Sequence, residues 1–103
     1  DFAEKGLHPQ VKPTVIPFDV EDRHLILVDD VLYTGRTTRA AINELFDYGR
    51  PASIELAVLA DRDGRELPVA PTYCVWDVAL NEGDSLVLAK QDDGQLAWRL
   101  ENA

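Results

Sequence analysis

The chain has 103 residues, 46% of them hydrophobic, enough for one small domain with a modest core. It carries 10 Lys and Arg against 19 Asp and Glu, a formal charge of -9, which argues against non-specific nucleic-acid binding, since that needs clustered cations. A single cysteine, Cys74, excludes an internal disulfide framework or thiolate metal site, and no apolar stretch reaches the roughly 20 residues of a membrane helix.

Residues Asp1 to Gln10 are polar and read as a loose arm. The start has no secretory-leader pattern and no methionine, so we expect a cytoplasmic chain and a piece of a longer protein. Val11 to Val20 alternates around Pro13 and Pro17, which confines any strand there to a sheet edge. Glu21 to His24 is a polar turn, and His24 falls at the entry end of the next strand, opposite the expected site. Leu25 to Val28 is a continuous apolar run, suited to a strand covered on both faces of a mainly parallel sheet. Asp29 and Asp30 end that run at the carboxyl rim, where open α/β sheets place ligands.

Thr34-Gly35-Arg36-Thr37-Thr38 then supplies a flexible glycine, hydroxyls and a guanidinium just before a helix. Free amides at a helix start, with the positive end of its dipole, form an anion site. Two acids beside an anion site are reconciled by one ligand with both hydroxyls and a phosphate, such as a ribose 5-phosphate. Caps would explain one or two of the threonines, but not the paired acids.

The helix is expected over Thr37 to Tyr48, with Ala41, Ile42, Leu45 and Phe46 on its inner face. Gly49 and Pro51 end it. Ser53 to Ala60 is a second buried strand, giving a strand–helix–strand unit. Asp61 to Glu66 is a charged turn on the same rim as Asp29 and Asp30, and it lacks the ligand spacing of a calcium loop. Pro71 to Leu80 is a third strand, with Cys74 expected as a buried thiol. Ser85 to Lys90 and Gln95 to Glu101 form a hairpin around Asp92-Asp93-Gly94, with Leu96, Trp98 and Leu100 alternating on one face and Trp98 in the core.

The run VDDVLYTGRT, Val28 to Thr37, resembles the phosphoribosyl-pyrophosphate (PRPP) motif of type I phosphoribosyltransferases. With AVLADRDGRELP, up to Pro68, it is similar to the branch that joins uracil phosphoribosyltransferase activity to pyrimidine-operon regulation. The resemblance implies an α/β fold of that kind over 1–103, ending in a C-terminal hairpin, with 1–10 the tail of a flexible catalytic loop. It implies conversion of PRPP and uracil to UMP and pyrophosphate. Asp29 and Asp30 take the catalytic role, and the PRPP site comprises Val28, Asp29, Asp30, Val31, Leu32, Tyr33, Thr34, Gly35, Arg36, Thr37 and Thr38. Magnesium arrives with PRPP and lies near Asp29 and Asp30 through the ligand. Purine members usually carry an acid where this chain has Tyr33, which favours a pyrimidine base. Asp61 and Arg62 are the base-site candidates, largely through main-chain groups. Family members commonly assemble as homo-oligomers.

RNA-binding regulators of this branch carry basic residues just after RELP and near the next strand. This chain has Ala70 and Trp76 there, with Asp77 beside it. That and the acidic balance leave Arg62 and Arg65 as the remaining contacts for an mRNA leader. Two other readings stand beside the enzyme. One is a non-catalytic RNA attenuator. The other is a signalling receiver domain, with Asp61 and Lys90 in its phosphoacceptor and lysine roles.

Overall fold

The computed structural model describes residues 16–81 and 83–101. The expected arm at 1–10 and the start of the proposed edge strand lie outside these residues. Residues 16–20 carry no strand: Pro17 has no backbone donor, and Val20 is instead buried in the core.

The elements run in the order β1 (His24–Leu32), α1 (Arg36–Asp47), β2 (Ser53–Arg62), β3 (Tyr73–Val78), β4 (Ser85–Lys90) and β5 (Leu96–Glu101). The first three strands form a parallel sheet in the order β1-β2-β3, and β4 and β5 form an antiparallel pair. This is the mainly parallel α/β sheet with a terminal hairpin that the sequence implied. The turn before β1 is fastened to the loop after α1. Asp22 N–H donates to the Arg50 carbonyl (2.9 Å), Ala52 N–H to the Arg23 carbonyl (2.8 Å), and Arg50 N–H to Glu21 Oε2 (2.7 Å). Gly49, at φ +148°, passes the Glu21 backbone so closely that a Cβ would lie 3.2 Å from its nitrogen.

Both β1 and β2 outrun their apolar segments. Asp29 and Asp30 lie inside β1 rather than ending it, because pairing continues through Asp29 with Val58, Val31 with Ala60 and Leu32 with Asp61. Likewise Asp61 and Arg62 are the last residues of β2, not part of the turn. Leu32, Leu56 and Val58 form the buried cluster, with Leu27 and Val69 packed against it.

Coverage is one-sided where the sequence suggested burial on both faces. Ile26 and Val28 are 58% and 72% exposed, because the described residues place little on the side of the sheet that they occupy. On α1 only Thr38 is fully buried, and Phe46 is exposed. At about 100° per residue, Phe46 sits roughly 80° from the line through Thr38 and Leu45, at the edge of the buried stripe.

The edge strand β3 is open as well, so Cys74 is exposed, its thiol 3.3 Å from the Trp76 carbonyl. Of the alternating hairpin residues only Trp98 is half-buried. It tilts against Trp76 with ring centroids 6.0 Å apart, while Leu96 and Leu100 stay exposed. Among the described residues no helix is long and apolar enough to cross a membrane.

Candidate functional site

The sheet brings one set of predicted residues together at the carboxyl end of β1. Val28, Asp29 and Asp30 share an open cleft with Thr37, Thr38 and Ala41 of α1, and with Leu88, Lys90 and Leu96 of the hairpin. The acids are held by their own neighbours. Asp30 N–H donates to Asp29 Oδ1 at 2.8 Å, and Val31 N–H donates to Asp30 Oδ1 at 2.7 Å. A carboxylate offers about four acceptor positions, so each retains capacity for ligand hydroxyls.

Burial is the main reason the Asp29 carboxyl is pushed up from 3.8 to about 6, and the side chain of Asp30 adds to it. The folded state therefore favours the protonated form. The stability this contributes is present below pH 3.8 and is lost as pH rises through about 6. A carbon-13 titration of the Asp29 carboxyl is expected to show a midpoint near 6, and Asp30→Asn is expected to lower it only part of the way, because burial remains. An ordinary midpoint in the unsubstituted chain would contradict this.

After β1 the backbone turns into α1 without help from a capping side chain. The helix begins from Gly35 at φ +94°, which has no side chain with which to cap it, and no acid lies in its first turn. Its N-terminal dipole is thus left for a ligand. Thr34 Oγ1 accepts from the first helical amide, Arg36 N–H, at 3.2 Å. Gly35 is enclosed: a Cβ there would meet Leu67 Cβ and Val69 Cγ2, both at 3.3 Å. The Arg36 side chain turns away from the loop amides to Glu66, with Nε 2.6 Å from Oε1. Leu32 points into the core, so any ligand contact there comes from backbone.

The second predicted cluster lies beside this loop. The Asp61 carboxylate accepts from Arg65 Nη2 at 2.7 Å, so its side chain is already engaged. Arg62 is 6% exposed, stacks its guanidinium 3.9 Å above the Tyr33 ring centre, and donates Nη1 to the Asp84 carbonyl at 2.6 Å. Its Nε is buried without a partner. Arg65 donates to the Tyr33 and Val69 carbonyls as well as to Asp61. Arg62 is therefore buried and engaged, whereas Arg65 is half-buried, and both line an open cleft. Asp61 and Gly64 line this separate shallow cleft too, with Asp77 and Val78. His24 shares a 2.7 Å hydrogen bond with Ser53 Oγ, at the opposite end of β1 and away from the cleft.

Two features were missed by reading the sequence. Lys90 enters the phosphate-side cleft from the hairpin, and Arg65 binds the loop from behind. The first needed the hairpin's position. The second needed the carbonyls of Tyr33 and Val69 as targets, and no local pattern reveals either.

Adjacent carboxylates and the start of a helix line one cleft on a parallel α/β sheet. A family model described as the phosphoribosyl transferase domain matches residues 3–86, and the chain belongs to that family. Among individual proteins, it is 61% identical over 97 residues to the Bifunctional protein PyrR of Ralstonia nicotianae, covering 94% of this chain and 56% of that protein. It is 70% identical over 69 residues to the Bifunctional protein PyrR of Nitrosococcus oceani, covering 67% of this chain and 39% of the relative. The chain thus spans roughly half the length of the curated relatives it matches, or less.

Solved structures agree on the fold. A hypoxanthine-guanine-xanthine phosphoribosyltransferase superposes with a TM-score of 0.57 at 29% identity, over 64% of this chain and 41% of that one. The hypoxanthine phosphoribosyltransferase of Trypanosoma cruzi gives 0.54 at 31% identity, over 61% and 36%. The receiver-domain reading is set aside by the family match, and Asp61 is engaged by Arg65 rather than presented as a phosphoacceptor.

Proposed function

We propose that this chain carries the ribose-phosphate half of a uracil phosphoribosyltransferase site, which uses PRPP to make UMP. One observation carries the reading: Asp29 and Asp30 share a cleft with Thr37 and Thr38 at the start of α1, whose N-cap is a glycine with no side chain to occupy the helix amides. Asp29 and Asp30 accept bonds from the ribose hydroxyls, and the amides and hydroxyls of residues 34–38 take the 5-phosphate. Charge develops on the ribose during transfer, so the protein's contribution is orientation and a fixed negative field beneath the sugar.

Magnesium suits this donor set as a companion of the ligand. The described residues contain no cluster of three or more His, Cys, Asp or Glu able to hold a metal, but two hard carboxylates can share an ion with diphosphate oxygens. Bound in that way, it would neutralise the departing pyrophosphate.

A pyrimidine base is supported by Tyr33, which occupies the place of the purine enzymes' acid and is covered by Arg62. Asp61 and Arg62 contribute to base recognition through backbone groups, since both side chains are engaged elsewhere. Nitrogen-15 NMR titrations with UMP and IMP test the choice. UMP is expected to move the amides of residues 34–38 and 61–65 at lower concentration than IMP. A preference for IMP would overturn the pyrimidine assignment.

The word "bifunctional" in the relatives' name supports a second, regulatory activity. Arg62 is buried and engaged by the Asp84 carbonyl, so of the two arginines Arg65, half-buried at the cleft, is the one open to an RNA contact.

A further inference from the structure

The geometry points to Arg65 as a positioning residue that sets the shape of the phosphate-binding loop by joining it to the turn after β2. This inference rests on the reading of residues 34–38 as the phosphate site. The Arg65 guanidinium donates Nε to the Val69 carbonyl at 2.8 Å, Nη2 to Asp61 Oδ1 at 2.7 Å, and Nη1 to the Tyr33 carbonyl. Next along the loop, the Thr34 carbonyl accepts from Glu66 N–H at 2.9 Å and Leu67 N–H at 3.0 Å. The two carbonyls that precede Gly35 are thus both held by the segment from Asp61 to Val69. Leu67 and Val69 of the same segment are the side chains that a Cβ on Gly35 would meet. The loop therefore enters α1 in the conformation that this segment imposes, and Arg65 joins the two beside the Arg62–Tyr33 stack and the Arg36–Glu66 pair.

Only a guanidinium serves here. Three acceptors, two within the segment from Asp61 to Val69 and one at Tyr33, are met by one planar fork, which an ammonium on a flexible stem cannot reproduce. The Arg65 side chain is 26% exposed, and its bonds to Val69 and Asp61 lie in partly buried surroundings. Without it, the Tyr33 carbonyl loses a charged donor, and Asp61 is left uncompensated in a cleft that also contains Asp63 and Asp77. The turn and the loop would then move independently, and the 5-phosphate amides would lose their common orientation.

The test uses the whole chain with ribose 5-phosphate as the probe, comparing wild type with Arg65→Gln, Arg65→Lys and the Asp29→Asn/Asp30→Asn double variant. Calorimetry reads affinity, amide hydrogen exchange reads the Glu66 and Leu67 N–H groups, and a melt reads stability. Both Arg65 variants are expected to weaken ribose 5-phosphate binding by about tenfold to 100-fold, with Lys giving no rescue. They are also expected to accelerate exchange at Glu66 and Leu67 while Val58 in the core stays protected. Wild-type affinity in the folded variants would overturn the inference, as would rescue by Lys or unchanged exchange at Glu66 and Leu67. A lower melting temperature with unchanged affinity would reduce Arg65 to a purely structural residue and would also overturn it. Failure of the wild type itself to bind ribose 5-phosphate would instead overturn the site reading, and the exchange measurement alone would then decide whether Arg65 holds the loop.

Discussion

The double substitution Asp29→Asn/Asp30→Asn is expected to weaken PRPP binding by about 100-fold or more while leaving the chain folded. In the proposed site each carboxylate accepts ribose hydroxyls, and a hydrogen bond to a charged group contributes roughly 1.5–3 kcal/mol. Two such bonds correspond to at least two factors of ten in affinity. The fold should tolerate the change, because an Asn side-chain oxygen can still accept the N–H bonds that Asp29 and Asp30 receive from the next residue. Removing the Asp29 carboxyl also relieves the burial that pushes it to about 6. Equilibrium dialysis with labelled PRPP, beside a thermal melt, separates the two effects. Lost binding with a melting temperature within a few degrees of wild type is the expected result. Unchanged affinity would remove both acids from the site.

Gly64→Val is expected to cost about 3 kcal/mol of stability, since unfavourable backbone geometry and overpacking add at one position. Gly64 has φ +109°, a conformation that a β-branched residue resists, and a Cβ there would lie 2.4 Å from Tyr33 Cε1. The Tyr33 ring has little room to yield. Its face is covered by the buried Arg62 guanidinium, which is itself held by the Asp84 carbonyl. Tyr33 leads directly into the loop, so ribose-phosphate affinity should fall together with stability. For a domain of this size the melting temperature should drop by roughly 10–20 °C. A drop of only a degree or two would mean that the ring moves freely and is not part of the loop's support.

What could be read from sequence divides along local and non-local lines. The strand–helix–strand order, the helix end at Gly49 and Pro51, and the hairpin at Asp92-Asp93-Gly94 are written in local patterns, and all three are present. The clustering of Asp29, Asp30, Thr37 and Thr38 was legible for the same reason: a short connection between strand and helix keeps them together. Coverage was not legible. An apolar run such as Leu25 to Val28 reports that burial would be favourable, not what lies against it, and Ile26 and Val28 remain exposed. Cys74 shows the same limit on the edge strand. The direction of the arginines was the least legible feature, because Arg62 and Arg65 answer to carbonyls at Asp84, Tyr33 and Val69. Charge counted along the chain treated both as surface cations, whereas Arg62 is buried and Arg65 is half-buried among its partners.

The most direct test of the central claim is a calorimetric titration of the purified chain with magnesium PRPP. A sugar-phosphate site formed by β1, the loop and α1 predicts saturable binding at one site per chain, competed by ribose 5-phosphate. A folded chain that shows no saturable heat with magnesium PRPP would contradict it.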